Sequence, residues 1–340
     1  MAGVMVAAAV VSALLLPRLP EVARPATVAR NDLLGFAAVV AAVAVGFLVS
    51  EQVAPPVARW LIGDWLASGP LPPTLQKRWI DLVALLLGIA FTVPLAVWAA
   101  RVARFETLIG GLSNYFSQPG AVAFLGFIVL YKLGDAFAGS LMTPFLLKAM
   151  AFSQAEVGVV NKVIGLWLTI GGALIGGAVM LRLGLWRSLM LFGVLQMLSN
   201  LGFWWLAVNG RSDAPALIIP AFDWGFVKLA TDSAVDRGLL MVVALENLTG
   251  GMGTAAFVAF LMSLTNQRFS ATQFALLSAF ASVGRVWVGP LAGVLAESIG
   301  WPTFFIVSTV LAAPALWLLW RLRATVRGLD VDPKATVAVD

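Results

Sequence analysis

The sequence contains no cysteine and no histidine. Their absence excludes disulfides, thiol chemistry, histidine-ligated metals and the Ser-His-Asp arrangement of hydrolases. No nucleophile–base pair, metal-ligand cluster or phosphate-binding loop takes their place, so neither an enzyme nor a cofactor is expected. Charge is scarce as well. Only 11% of the 340 residues are Asp, Glu, Lys or Arg, against roughly 25% in a soluble domain. The formal net charge of +5 is not gathered into a basic tract with interleaved aromatics, so no nucleic-acid partner is expected.

What is present is apolar: 61% of the residues are hydrophobic. They fall into repeated stretches of about 20 residues, the length of a helix crossing a bilayer. A membrane barrel would show ~10-residue alternating segments instead. The reading is an all-α integral membrane protein of about nine spans, near 1–16, 33–50, 80–100, 121–147, 155–180, 188–207, 238–263, 271–296 and 302–320. Two connections are long, 51–79 and 208–237, and carry Trp60, Trp65 and Trp224 where a membrane–water interface is expected. The segment 105–119 reads as a short amphipathic stretch leading into a span, with Leu108, Leu112, Tyr115 and Phe116 apolar.

Lys and Arg near the span ends give an orientation. One set of alternate loops carries Arg18, Arg24 and Arg30, then Arg101 and Arg104, Arg182 and Arg187, Arg268, and Arg321, Arg323, Arg327 and Lys334. Placing that set inside makes the C-terminus cytoplasmic. The opposite loops hold Arg59, Lys77, Arg78, Lys148, Arg211, Lys228 and Arg237. Met1 opens directly on an apolar run with no charged stretch before it. A signal peptide is a poor reading of that start; a chain that begins inside a longer protein, or at an internal gene start, fits better.

Two segments between spans carry family signals. Gly177-Ala-Val-Met-Leu-Arg182-Leu-Gly184-Leu-Trp-Arg187 resembles the G-x-x-x-D-R-x-G-R-R loop of the major facilitator superfamily. In that reading glycine allows a tight turn and arginine pins it at the cytoplasmic face. The motif's Asp position is Leu181, and two of its Arg positions are Leu185 and Trp186. Gly289-Pro290-Leu-Ala-Gly293 followed by Gly300-Trp301-Pro-Thr-Phe-Phe305 resembles the join of the last two helices of such a half.

Longer strings over 120–320 are similar to one branch of that superfamily, the AmpG-type muropeptide permeases. They are Leu130-Tyr-Lys132-Leu-Gly134-Asp135-Ala-Phe137, Glu156-Val-Gly-Val-Val-Asn161-Lys162, Glu246-Asn247-Leu-Thr-Gly250-Gly251-Met-Gly253, and the stretch Phe269 to Gly289 through Arg285. The resemblance implies proton-driven import of anhydromuropeptides across the inner membrane for cell-wall recycling. It also implies the domains: 1–30 as the last helix of an N-terminal half with its linker, 31–104 as two inserted helices, 105–322 as the C-terminal six-helix half, and 323–340 as a tail. The rest of the N-terminal half is not in the sequence, and a path between two halves needs both. A non-transporting remnant, an assembly partner or a carrier of another solute are the alternatives.

The intramembrane charges mark a pathway even without the family, because a charged group in a span needs a partner or a watery cavity. Lys132 and Asp135 lie three apart within 121–147, Glu246 and Asn247 lie in 238–263, Arg285 in 271–296, and Asn161 and Lys162 toward one end of 155–180. The superfamily layout puts 121–147 and 238–263 along the central cavity, which makes Asp135 and Glu246 the candidates for proton coupling. Lys132 and Arg285 are candidates for the peptide carboxylates of a muropeptide, Asn161 and Asn247 for its sugar hydroxyls, and Lys162 for substrate binding. A purely structural Lys132–Asp135 or Glu246–Arg285 pair is equally open. Gly250, Gly251 and Gly253 read either as a bend in a gating helix or as small-residue contacts. Gly171, Gly172, Gly176 and Gly177 read as contacts of the second kind. The two inserted helices are expected at the periphery, against lipid.

Overall fold

A computed structural model describes residues 26–118, 120–223, 225, 228–265 and 270–329. The span expected at 1–16 and the positions Arg18, Arg24, Trp224, Arg268, Phe269 and Lys334 lie outside the described residues.

Among the described residues, seven helical segments are long and apolar enough to cross a membrane: Arg30–Ala67, Pro73–Val102, Ala121–Ala149, Gln154–Leu183, Leu185–Asn209, Arg237–Ser263 and Trp301–Arg321. The span expected at 271–296 is divided into two shorter apolar helices. The chain is thus a multi-pass, all-α membrane protein.

α1 (Ala26–Ala67) and α2 (Pro73–Val102) form an antiparallel hairpin. Here the sequence expectation needs correction, because α1 does not end at residue 50. It runs on through Pro55 and Pro56 to Ala67, so most of the connection expected at 51–79 is helix. The two prolines remove the amide donors for the carbonyls of Glu51 and Gln52 without ending the helix. Trp60 and Trp65 stand exposed on this extension. The hairpin is held to the rest of the bundle at both ends. Asp32 accepts from the amide and hydroxyl of Thr107, at the start of α3 (Glu106–Phe116). At the other end, Arg78 pairs with Glu297 at 2.6 Å and lies where a side chain on Gly293 would stand.

The remaining helices are α4 (Ala121–Tyr131), α5 (Leu133–Pro144), α6 (Gln154–Val159), α7 (Leu166–Leu183), α8 (Leu185–Asn209), α9 (Arg237–Ser263), α10 (Ser270–Val286), α11 (Val288–Ile299), α12 (Trp301–Val310), α13 (Ala313–Arg321) and α14 (Arg323–Gly328). Two π-helical turns, Phe145–Ala149 and Val160–Gly165, continue α5 and α6; such turns often mark functional positions. Ser153 caps α6 by accepting from the Glu156 amide at 3.1 Å, and Asp236 caps α9 by accepting from the Leu239 amide at 2.9 Å. The connection between α8 and α9 forms a small hairpin of β1 (Leu217–Ile219), β2 (Phe222–Asp223), β3 (Lys228–Leu229) and β4 (Ser233–Val235). β1 pairs antiparallel with β4, and β2 with β3. Near its tip the Gly225 amide and the Lys228 ammonium hold the Asp223 carboxyl below the usual carboxylate range, against a smaller opposing effect of desolvation.

Single glycines make the tightest joins. Gly184 links α7 to α8 with φ +77°, and Gly300 links α11 to α12 with φ +76°, a region that L side chains rarely adopt. The loop expected to begin at Gly177 is therefore narrower than its motif. Gly177 lies within α7 with nothing near it, and Gly184 alone makes the turn. Arg182 and Arg187 are exposed on either side. Trp186 ties the turn to the C-terminal helices, donating to the Leu319 carbonyl at 2.9 Å and carrying the Arg327 guanidinium over its ring at 4.5 Å.

The bundle interior is two apolar clusters. One contains Phe145, Phe152, Phe203, Val235, Phe304 and Phe305. The other contains Tyr115, Phe127, Leu185, Phe192, Phe260 and Val326. In lipid, burying such side chains gains little over lipid contact, so close packing holds them. Three spans are interrupted where the clusters meet: at Lys132 between α4 and α5, at Trp287 between α10 and α11, and at Leu311–Ala312 between α12 and α13. Gly134 brings two of these breaks together, for a Cβ on it would lie 2.8 Å from Ala312 Cβ and 2.9 Å from the Ser308 carbonyl oxygen.

Candidate functional site: a polar layer at the helix breaks

Lys132 stands at the α4–α5 break and is buried. Its ammonium has three hydrogens to place. It reaches Gln196 Oε1 on α8 at 3.3 Å, Thr254 Oγ1 on α9 at 3.2 Å, and Asp135 Oδ2 in the first turn of α5 at 3.7 Å. The Lys132 side chain is 9% exposed and that of Asp135 28%, so the pair presents its carboxylate outward and keeps its ammonium inside. Glycine makes the niche. A Cβ on Gly253 would come within 2.7 Å of Gln196 Oε1 and 3.9 Å of Lys132 Nζ, and one on Gly250 would lie 3.6 Å from Gln196 Nε2.

Gly251 faces the opposite way. It meets the carbonyl of Thr169 on α7, while Gly172 meets the carbonyl of Leu248 and Gly176 the backbone of Met252. These three residues let α7 and α9 touch backbone to backbone. Gly250, Gly251 and Gly253 all lie within the continuous helix α9, and Gly251 supplies the close contact that small residues allow. Gly171 and Gly177 have nothing within 4 Å; of the glycine pairs on α7, only Gly172 and Gly176 are contacts.

Glu246 lies on α9, within electrostatic reach of Asp135 and Lys132. Its Oε2 accepts from Asn247 Nδ2 at 3.1 Å. Asn247 Nδ2 also donates to the Val243 carbonyl at 2.8 Å, and its Oδ1 accepts from Thr169 Oγ1 at 3.0 Å. Gly165 leaves room for this amide. Asn247 is thus engaged inside the protein, holding Glu246 and bridging α9 to α7. Lys132 and Asp135 form a pair, with Glu246 near enough to feel both charges; the other candidates stand apart. Arg285 is exposed near the end of α10 and reaches Ser282 Oγ at 3.4 Å. A Glu246–Arg285 ion pair is not among the described pairs. Asn161 and Lys162 occupy the second π-turn. Lys162 lines a hollow of about 200 Å³ against Phe222 and Lys228 of the β-hairpin.

Residues that the sequence did not single out complete the layer; Gln196 and Asn200 are buried on α8, one turn apart. Among the described residues Gln196 Nε2 and both polar atoms of Asn200 have no hydrogen-bond partner. Two carboxamides one turn apart inside an apolar span were the available signal, since such groups seek partners when buried. At the hairpin side Glu156 is also buried: Oε1 accepts from the Asp236 amide at 2.7 Å and Oε2 pairs with Arg211 at 3.0 Å. Arg211 stacks over Phe152 at 4.6 Å. This cluster fixes the β-hairpin to the starts of α6 and α9. Among the described residues no group of three or more Asp, Glu, His or Cys is placed to hold a metal ion.

A broken-helix bundle with ionisable side chains gathered where its apolar clusters meet defines a class: the multi-pass helical membrane proteins with a polar site inside the bundle. No family model matches the chain. The anhydromuropeptide permease of Escherichia coli K12 is 40% identical over 292 residues, 84% of this chain and 53% of the permease. A transporter designated AmpG 4 in Rickettsia conorii is 32% identical over 221 residues, 65% of this chain and 48% of that protein. A Haemophilus influenzae protein is 38% identical over 213 residues, 62% and 46% of the two chains. The chain is a homologue of the AmpG-type permease family, and it spans about half the length of the curated relatives it matches.

Proposed function

We propose that the chain forms the substrate-handling half of a proton-coupled importer of anhydromuropeptides in the bacterial inner membrane, with its C-terminus cytoplasmic. It acts as a transporter and not an enzyme, in keeping with relatives named as permeases and transporters. The observation that carries the reading is the Lys132–Asp135 pair inside the bundle at the α4–α5 break, in a chain 40% identical over 292 residues to a named anhydromuropeptide permease. Carboxyl groups inside membrane spans are the usual members of proton relays in pumps and transporters. Asp135 and Glu246 have that role, with Lys132 as the charge whose balance changes when either is protonated. A muropeptide offers carboxylates and sugar hydroxyls. Lys132 and the exposed Arg285 receive the former, and Asn161 and Lys162 meet the substrate nearer the β-hairpin. Asn247 acts by holding Glu246.

The half-length relation to its relatives favours one further element, a second half that faces the polar layer and completes the path. The test is uptake of labelled anhydromuropeptide into spheroplasts lacking their own permease. The chain is expressed alone and as the form extended by whatever is encoded upstream. Uptake by the extended form supports the reading. Absence of uptake by well-inserted protein of both forms sinks it, in favour of another solute or of a non-transporting assembly role.

A further inference from the structure

Glu51 carries a charge where the sequence left a loop. Between Asp32 and Arg59 it is the only ionisable residue on α1, and the facing helix has none between Asp81 and Arg101. Gly46 against Thr92 and Ser50 against Gly88 set the register of the two helices. That register places Glu51 within both uncharged stretches, about two and a half turns from Trp60. Trp60 and Trp65 are 80% and 73% exposed, as aromatic residues at a membrane interface are.

Beside Glu51 the hairpin opens into a crevice of about 470 Å³, within the roughly 300–1,000 Å³ of ligand pockets. Phe47, Ala84, Leu85, Ile89 and Val93 form its apolar walls, and Val286 at the end of α10 contributes to them. Ser50, also in the wall, donates to the Gly88 carbonyl at 3.5 Å. Among the described residues Glu51 forms no ion pair. An intramembrane carboxylate of this kind is costly without a cationic or hydrogen-bonding partner.

We propose that this crevice is a lipid site, which takes an acyl chain along its walls and a primary ammonium head group at Glu51. The walls fit a hydrocarbon chain and offer a polar head little else. The carboxylate selects a head that brings both positive charge and N–H donors. An anionic glycerol head is repelled, and a quaternary choline head brings charge without a donor. The hairpin is then a lipid-reading element packed against α11, where Arg78 meets Glu297 and Gly293.

The test uses the whole chain in mild detergent, with native mass spectrometry after addition of phosphatidylethanolamine, phosphatidylglycerol or phosphatidylcholine. The wild-type chain is expected to retain one phosphatidylethanolamine, with roughly 10-fold preference over phosphatidylglycerol, a factor one charge-assisted contact supplies. Glu51→Gln should abolish the preference while lipid is still retained. Ala84→Phe, which fills the crevice, should weaken retention of all three. Size-exclusion profiles and helicity identify the variants that fold. Equal retention of the three lipids by wild type, or an undiminished preference in folded Glu51→Gln, overturns the proposal.

Discussion

Replacing Gly172 by alanine puts a methyl carbon against the Leu248 carbonyl oxygen, with the Leu248 carbonyl carbon at 3.0 Å and Cα at 3.2 Å. A side chain in the way would turn aside; a helix backbone cannot. Helices α7 and α9 must therefore separate, and overpacking of this kind costs about 1–3 kcal/mol. Gly251→Ala meets the Thr169 carbonyl from the other side and carries a cost of the same size. Both variants are relieved by one movement, so their effects are not independent. Once the helices have parted for one methyl, the second is partly accommodated, and the double variant should cost about 1 kcal/mol less than the sum. Gly171→Ala and Gly177→Ala are the controls, for nothing lies within 4 Å of either. They should be neutral or stabilising by up to about 1 kcal/mol from helix propensity. Thermal unfolding in detergent, followed by fluorescence-detected size exclusion, reads all five proteins. Equal stability of Gly172→Ala and Gly171→Ala, or strict additivity of the two contact variants, would refute the backbone-to-backbone packing of α7 and α9.

Asn200→Leu removes a buried amide that has no partner, so it should be neutral or stabilising. Gln196→Leu takes an acceptor from Lys132 and should cost about 1–3 kcal/mol, both measured by the same unfolding assay. Glu156→Ala leaves the buried Asp236 amide without its acceptor; a loss of about 1–3 kcal/mol is expected, with faster proteolysis within residues 210–236. Arg78→Gln should change stability by less than about 1 kcal/mol, because the Arg78–Glu297 pair is 41% and 34% exposed. A larger loss in urea or heat unfolding would mean that the ion pair, and not helix packing, anchors the hairpin.

Composition and run length made the membrane class legible, because apolar stretches of bilayer length with so little charge have few other uses. The Lys132–Asp135 pair was legible too, since residues three apart on a helix are neighbours. Three features were hidden. The span expected at 33–50 stops short of Pro55 and Pro56, yet α1 passes through both, at the loss of two hydrogen bonds. Lys132 gives no local sign that the span breaks there. The break becomes intelligible only with Gly134 packed against the broken segment at Ala312 and with Gln196 and Thr254 arriving from two other helices. The glycines of α9 also looked alike in one dimension. Which of them face α7 and which admit Gln196 is set by rotation about the helix axis, and that depends on the partners.

The most direct test of proton coupling is the pH inside proteoliposomes holding the extended protein, followed as anhydromuropeptide is added outside. Coupling through the two carboxyls predicts substrate-driven acidification of the lumen that is abolished by Asp135→Asn or Glu246→Gln, with substrate binding retained in at least one of them. Muropeptide uptake without any proton movement, or acidification unchanged in both variants, would contradict it.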